Sequence, residues 1–215
     1  TLGDSLTGFA PDDIPKKISE VLEHSLAALE ELKANVGEFR AKREALKAER
    51  ARERAKKKLQ DILRKNPTSD CPQFDSALST WQMLEPLTVE EILQQSRVSI
   101  DFDLPIEREE GKNGIYIGQV KDGKWHGIGR VISNDQIQEG QWANGKLNGF
   151  GRVCYQSGHY YIGLFKDDKR EGKGKMEYAN GAVYNGDWAN NEQQGYGKMT
   201  FADGDVYEGE WNGNQ

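Results

Sequence analysis

Ile18, Leu22, Ser25, Leu29, Leu32, Val36, Phe39 and Leu46 recur at alternating spacings of three and four, with Arg43 in the one gap. This spacing is a heptad seam, the mark of a helix with one apolar stripe. Its apolar members from Leu22 on are Leu22, Leu29, Leu32, Val36, Phe39 and Leu46. Pro15 suits a first helical turn. After Leu46 the seam positions turn polar (Arg50, Glu53, Lys57, Gln60), yet Ala41 to Lys58 is almost all Ala, Arg, Lys and Glu. Those are strong helix formers, and Glu38/Lys42 and Glu53/Lys57 stand in the favourable i, i+4 order. Leu59, Ile62 and Leu63 supply a small apolar end before Asn66-Pro67 stops the helix. The pattern predicts one helix over 14–65, about 78 Å long at 1.5 Å per residue.

Two uses of this helix fit the pattern. From Ile18 to Leu46 it would form a partner-binding or dimerising coiled coil. Alternatively it docks along its own chain or a larger assembly without supercoiling. The basic run Arg50 to Lys58 is expected to be a solvated face, the alternative being contact with an acidic polymer such as nucleic acid or tubulin tails. The run has no interleaved aromatics to stack on bases, so no nucleic-acid partner is expected.

Residues 66–110 are poor in glycine. Two short helices are predicted, Asp75 to Leu84 and Thr88 to Gln95, the second opened by the capping-box pattern Thr88-Val-Glu-Glu91. Phe74, Trp81, Met83, Leu84, Leu87, Ile92 and Leu93 are expected to pack as one satellite cluster. Val98, Ile100, Phe102, Leu104 and Ile106 alternate as a strand would, and Glu107 to Gly111 reads as a polar hinge.

From Tyr116 the chain repeats itself. Gly118, Gly140, Gly163, Gly186 and Gly209 fall at spacings of 22, 23, 23 and 23. Two residues after each comes Val120, Trp142, Phe165, Trp188 or Trp211, and Tyr116, Tyr161, Tyr184 and Tyr207 stand two before, with Gln138 in the second copy. A Gly-x-Gly follows in each full copy: Gly127/Gly129, Gly149/Gly151, Gly172/Gly174 and Gly195/Gly197. Turns then fall at Ser133-Asn134-Asp135, Ser157-Gly158, Asn180-Gly181 and Asp203-Gly204. A fixed period of this size signals a repeat architecture. Period-two alternation puts Tyr and Trp on one face of a strand with the Gly between them, and such a Gly marks close approach of a ring or backbone. Each copy is therefore a β-hairpin whose aromatic face is buried by stacking on its neighbours.

The pattern Tyr-x-Gly-x-Trp-x(6)-Gly-x-Gly, best seen in Tyr184-Asn-Gly-Asp-Trp188 with Gly195-Tyr-Gly197 and in Tyr207-Glu-Gly-Glu-Trp211, resembles the MORN repeat family. The resemblance covers residues 111–215, with four full copies and a fifth cut short at Gln215. Further copies are expected in a parent protein, and the absence of an initiator Met suggests a processed chain or a fragment. The resemblance implies an open, grooved sheet of antiparallel hairpins that serves as a scaffold, in settings that include ciliary spokes, cytoskeletal organisers, junctional proteins linking membranes, lipid kinases and a methyltransferase. It implies a partner peptide lying on exposed rings of Tyr116, Trp142, Tyr161, Phe165, Tyr184, Trp188, Tyr207 and Trp211, and a location in a cytoskeletal or ciliary assembly on the cytoplasmic side. Its other implication is recognition of anionic phospholipid or phosphoinositide.

Charge weighs between these. Residues 14–65 hold 15 Lys and Arg against 9 Asp and Glu, residues 66–110 hold 2 against 10, and residues 111–215 hold 12 against 13. Lipid headgroups are drawn by clustered Lys and Arg. The repeats offer only Lys169-Arg170 with Lys173 and Lys175, so lipid is the weaker alternative to a protein partner. No Gly-x-Gly extends to a phosphate-binding fingerprint, since each lies in a strand rather than opening a helix. His24, His126 and His159 have no metal-ligand spacing, and two cysteines, Cys71 and Cys154, make no disulfide framework. Free thiols in a reducing compartment are expected, with no catalytic residue, metal or cofactor. No stretch approaches the apolar length of a membrane-spanning helix.

The fold class read from the chain is modular α+β. A tail (1–13) precedes the long helix or coiled coil (14–65). An acidic connector with short helices (66–110) then leads into an elongated antiparallel hairpin array (111–215).

Overall fold

Residues 13–64 are rich in strong helix formers, with Gly37 among them, a residue that costs about 1 kcal/mol relative to Ala in a helix. The computed structural model describes residues 13–67, 78–96, 99–111 and 114–213, and in it this segment is one helix, α1, Asp13–Arg64. The chain divides into two units between Ala51 and Arg52. In the first, every described side chain of α1 is exposed, the seam included. Exposed ion pairs Lys33–Glu30, Lys42–Glu38 and Lys47–Glu44, at 2.6–2.8 Å, run along it.

The second unit holds the last turns of α1, two short helices and a ten-stranded sheet. Helix α2 spans Leu78–Gln82; the earlier part of the expected helix, 75–77, lies outside the described residues. Helix α3 spans Val89–Gln95 and carries the expected capping box. The Glu91 amide donates to Thr88 Oγ1 at 3.1 Å and the Thr88 amide to Glu91 Oε2 at 2.8 Å.

The strands are β1 (Ile106–Gly111), β2 (Gly114–Lys121), β3 (Lys124–Ile132), β4 (Gln136–Ala143), β5 (Lys146–Tyr155), β6 (Tyr160–Lys166), β7 (Lys169–Glu177), β8 (Val183–Ala189), β9 (Glu192–Thr200) and β10 (Val206–Asn212). They form one antiparallel meander, each strand paired with its sequence neighbours. The hairpins β2–β3, β4–β5, β6–β7 and β8–β9 close with two-residue turns, Asp122-Gly123, Asn144-Gly145, Asp167-Asp168 and Asn190-Asn191, all eight residues at positive φ. Both central residues at positive φ define the type I′ turn, which matches strand twist. Asp and Asn tolerate that conformation. Asp168 and Asn191 also use their side chains: Asp168 Oδ1 accepts from the Leu147 amide at 2.7 Å, and Asn191 Oδ1 from the Arg170 amide at 2.8 Å. Each thereby ties its turn to the preceding hairpin.

Two expectations for the connector are corrected. Residues 99–105 form no strand; the strand starts at Ile106 and includes the polar segment Glu107 to Gly111, which pairs with β2 from Ile106↔Gln119 to Gly111↔Gly114. Alternation in this segment has another cause. The Asp103 amide donates to Asp101 Oδ1 at 3.0 Å, turning the chain, and Pro105 has no amide for a ladder. Ile100 and Phe102 point into a core beside Leu59 and Leu63. The satellite cluster is also not one cluster. Leu87, Ile92 and Leu93 join the end of α1 over Ile128, Phe150 and Ile162 of the sheet. Trp81 and Leu84 join Ile115, Ile132, Ile137 and Cys154. Met83 is 83% exposed, and Phe74 and Val98 lie outside the described residues.

The sheet thus has two unlike faces. One carries the repeated aromatics. The other, over β2–β6, is covered by the end of α1, α2 and α3.

Candidate interaction surfaces

On the aromatic face, Gly118, Gly129, Gly140, Gly151, Gly163, Gly174, Gly186, Gly197 and Gly209 stand opposite one another in a row across β2–β10. Tyr rings lie on this row. The register slips by a bulge just after Gly118, Gly140, Gly163 and Gly186. In three hairpins the bulged residue's carbonyl takes the Tyr hydroxyl: Tyr116 Oη donates to Gln119 O at 2.6 Å, Tyr161 to Leu164 O at 3.1 Å and Tyr184 to Asp187 O at 3.0 Å. Burial pushes the Tyr116 and Tyr161 phenols well above their usual value, so both stay neutral donors. Trp142, Trp188 and Trp211 each donate Nε1 to a glycine carbonyl, of Gly129, Gly174 and Gly197, at 3.1 Å. Rings meet edge to face within and between repeats, as in Tyr161–Trp188 at 5.3 Å and Tyr184–Trp211 at 5.0 Å, the arrangement that aromatic quadrupoles favour.

The expected partner-binding rings are therefore inside. Tyr116, Trp142, Tyr161, Phe165, Tyr184, Trp188 and Trp211 are buried in one continuous cluster, and only Tyr207, on β10, is exposed. These rings face one another rather than solvent. Besides Tyr207, this face is open where Gln138 stands in the tyrosine row. Two clefts of 780 and 570 Å³ share Trp125, Gln136 and Gln138 in their walls, the second also lined by Trp142, Tyr155 and Arg170. Trp125, which the motif does not single out, stacks flat on Tyr116 at 4.6 Å.

The opposite face holds residues that sequence reasoning passed over. Arg130, Glu139 and Arg152 are cross-strand neighbours on β3, β4 and β5, all buried. Arg130 Nε donates to Glu139 Oε1 at 2.7 Å, Arg152 Nη2 to Glu139 Oε2 at 2.5 Å, and Trp81 Nε1 to Glu139 Oε1 at 2.9 Å. The remaining guanidinium hydrogens reach the cover: Arg130 donates to the carbonyls of Leu63 and Lys65, and Arg152 to that of Glu85 at 2.7 Å. Two of these acceptors lie at the C-terminus of α1, where carbonyls lack intrahelical partners and the dipole favours a cation. Burial alone would raise the Glu139 carboxyl; the two guanidinium groups outweigh it and hold the carboxyl below its usual range. This network fastens the helix end and connector to the sheet.

The basic cluster in the repeats is dispersed. Lys173 pairs with Asp187 at 2.8 Å, Lys175 with Glu177 at 3.2 Å, and Arg170 lies over the Trp188 ring at 4.4 Å. His159 Nδ1 accepts from the Ala179 amide. Among the described residues no group of three or more His, Cys, Asp or Glu is placed to hold a metal ion, and no helix is long and apolar enough to cross a membrane. Cys154 is a buried free thiol; Cys71 lies outside the described residues.

A family model for the MORN repeat matches residues 116–136, 139–160, 161–183 and 184–206. These are MORN repeats. Their matched spans run from β2 to the start of β10, and the glycine row with its tyrosine ladder is how these MORN repeats pack. No curated protein matches the chain. MORN repeats are non-catalytic modules that engage protein or lipid. A second surface lies outside the repeats: the seam of α1, where Leu22, Leu29, Leu32, Val36, Phe39 and Leu46 are 43–70% exposed.

Proposed function

We propose that this chain is a non-enzymatic scaffold in which the MORN array is a fixed platform and the α1 seam docks a partner helix. The exposed seam carries this reading. Ile18, Leu22, Leu29, Leu32, Val36, Phe39 and Leu46 form one stripe of large apolar side chains, each 43–70% exposed, and contiguous apolar patches of that extent mark interaction sites. The clefts beside Gln138 are where the array would hold a partner segment. The setting, a cytoskeletal or ciliary assembly, rests on the kinship of the repeats alone. The near-neutral balance of the repeats, 12 Lys and Arg against 13 Asp and Glu over residues 111–215, weighs against lipid recognition.

The test is affinity capture with the tagged full chain beside a Leu29→Asp/Leu32→Asp variant, followed by identification of the retained proteins. Cytoskeletal or axonemal proteins kept by the parent and lost by the variant support the proposal. Identical capture by both would overturn the seam reading. Retention of anionic vesicles through moderate salt would favour lipid recognition instead.

A further inference from the structure

We propose that the α1 seam pairs with a foreign helix whose flanking positions are acidic, rather than with a second copy of this chain. The inference deepens the scaffold reading and rests on it. Numbering the seam by heptads places Leu22, Leu29, Val36 and Arg43 at a, and Leu32, Phe39 and Leu46 at d. The flanking e positions are then Leu26, Lys33, Arg40 and Lys47, and among the g positions Ala28, Asn35 and Lys42 the charged one is Lys42, so from Lys33 on the flanks are basic. Flanking charges set partner choice and orientation in coiled coils.

A second copy fits these flanks poorly in either orientation. In a parallel pair, g meets e of the next heptad, so Lys42 faces the other copy's Lys47, and Arg43 meets the other copy's Arg43 across the seam. In an antiparallel pair, e flanks face e flanks, which sets Lys33, Arg40 and Lys47 against one another wherever they do not meet Leu26. The acids of this stretch do not help, because Glu30, Glu31, Glu38 and Glu44 fall at the outer b and c positions. Some pair with the flanking lysines, as in Lys33–Glu30, Lys42–Glu38 and Lys47–Glu44, where every partner is more than half exposed. Exposed pairs of this kind contribute little, so the ammonium groups are free to turn to an incoming carboxylate. A partner helix with Glu or Asp at e and g, and an acid opposite Arg43, would answer every flanking base. Apolar seam and basic flank together thus specify the partner's chemistry.

The test uses the full chain and two synthetic four-heptad helices with the same Val/Leu seam, one with Glu and one with Lys at every e and g position. Binding is followed by fluorescence anisotropy, and the oligomeric state of the chain by light scattering, at low and high salt. The expected result is a monomeric chain that binds the acidic helix at least about tenfold more tightly than the basic one. The gap should narrow as salt screens it. Lys33→Glu/Arg40→Glu/Lys47→Glu should reverse the preference, and Leu29→Asp/Leu32→Asp should abolish binding of both helices. Equal binding of both, or a dimer of the chain at low salt, would overturn the acidic-partner inference while leaving the seam a docking surface. Failure of the parent chain to bind either helix would overturn the scaffold reading with it.

Discussion

Gly174 lies directly beneath the ring of Tyr161: a Cβ added to Gly174 would sit 2.1 Å from the Tyr161 hydroxyl oxygen and 2.4 Å from Cζ. The Tyr hydroxyl is held by the Leu164 carbonyl and the ring by Trp188 at its edge. Neither side can yield cheaply. Gly174→Ala should cost about 1–3 kcal/mol, the usual penalty for overpacking a filled core. That would appear as a fall in melting temperature and a weaker near-UV circular dichroism signal. Gly186→Val meets the Gly197 backbone as well as Tyr184 and should cost more. An unchanged melting curve for either would contradict the ladder.

Gly37 makes the opposite case. Nothing lies within 4 Å of a Cβ placed there, and it sits in the exposed part of α1. Gly37→Ala should stabilise the helix by about 1 kcal/mol. Far-UV circular dichroism at 222 nm should show the gain in the helical phase of melting, with the near-UV signal of the repeats unmoved.

The buried Arg130–Glu139–Arg152 network makes stability depend on acid. The Glu139 carboxyl titrates lower in the folded chain than in the unfolded one. Its contribution is therefore full above the unfolded carboxylate range and is lost as pH falls through the folded value. Glu139→Gln leaves two guanidinium groups buried without their anion and should cost about 3–5 kcal/mol near neutrality. Urea melts from pH 7 down to 3 should show the variant losing less additional stability than the parent. Equal slopes would contradict a charged Glu139.

Cys154 gives a chemical readout of the same region. Burial among Ile115, Ile132 and Ile137 pushes its thiol up to about 12. The thiolate is the reactive form, so at pH 8 a maleimide should leave Cys154 unlabelled in the native chain and label it on unfolding in urea. Peptide mapping would settle it; native labelling at the rate of a free cysteine would contradict the packing.

The repeats were legible because their geometry is enforced locally: a ring on a glycine two residues away needs only the spacing to be seen. The cover was not. Arg130 and Arg152 follow their Gly-x-Gly as Lys175 and Lys198 do, and Glu139 occupies the same row as Glu208. Arg130, Arg152 and Glu139 are buried, whereas Lys198 and Glu208 are a loose exposed pair at 3.8 Å. Nothing in the motif separates these cases, because the difference comes from residues far away in the chain, Leu59, Leu63, Trp81 and Glu85. The same holds for the rings. Alternation fixed which face they share, but whether that face meets solvent depended on how closely neighbouring hairpins stack. The segment Ile100–Ile106 shows the converse, a strand-like alternation produced by two side chains reaching into a helix-end core.

The most direct test of the central claim, that the aromatic face is the array's own core and the α1 seam its free surface, is hydrogen exchange of the full chain alone and with its captured partners. The account predicts rapid exchange over 18–46 in the isolated chain and protection there in the complex, with the amides of the glycine row slow in both. A seam already protected in the isolated chain, or one that stays unprotected in the complex, would contradict it.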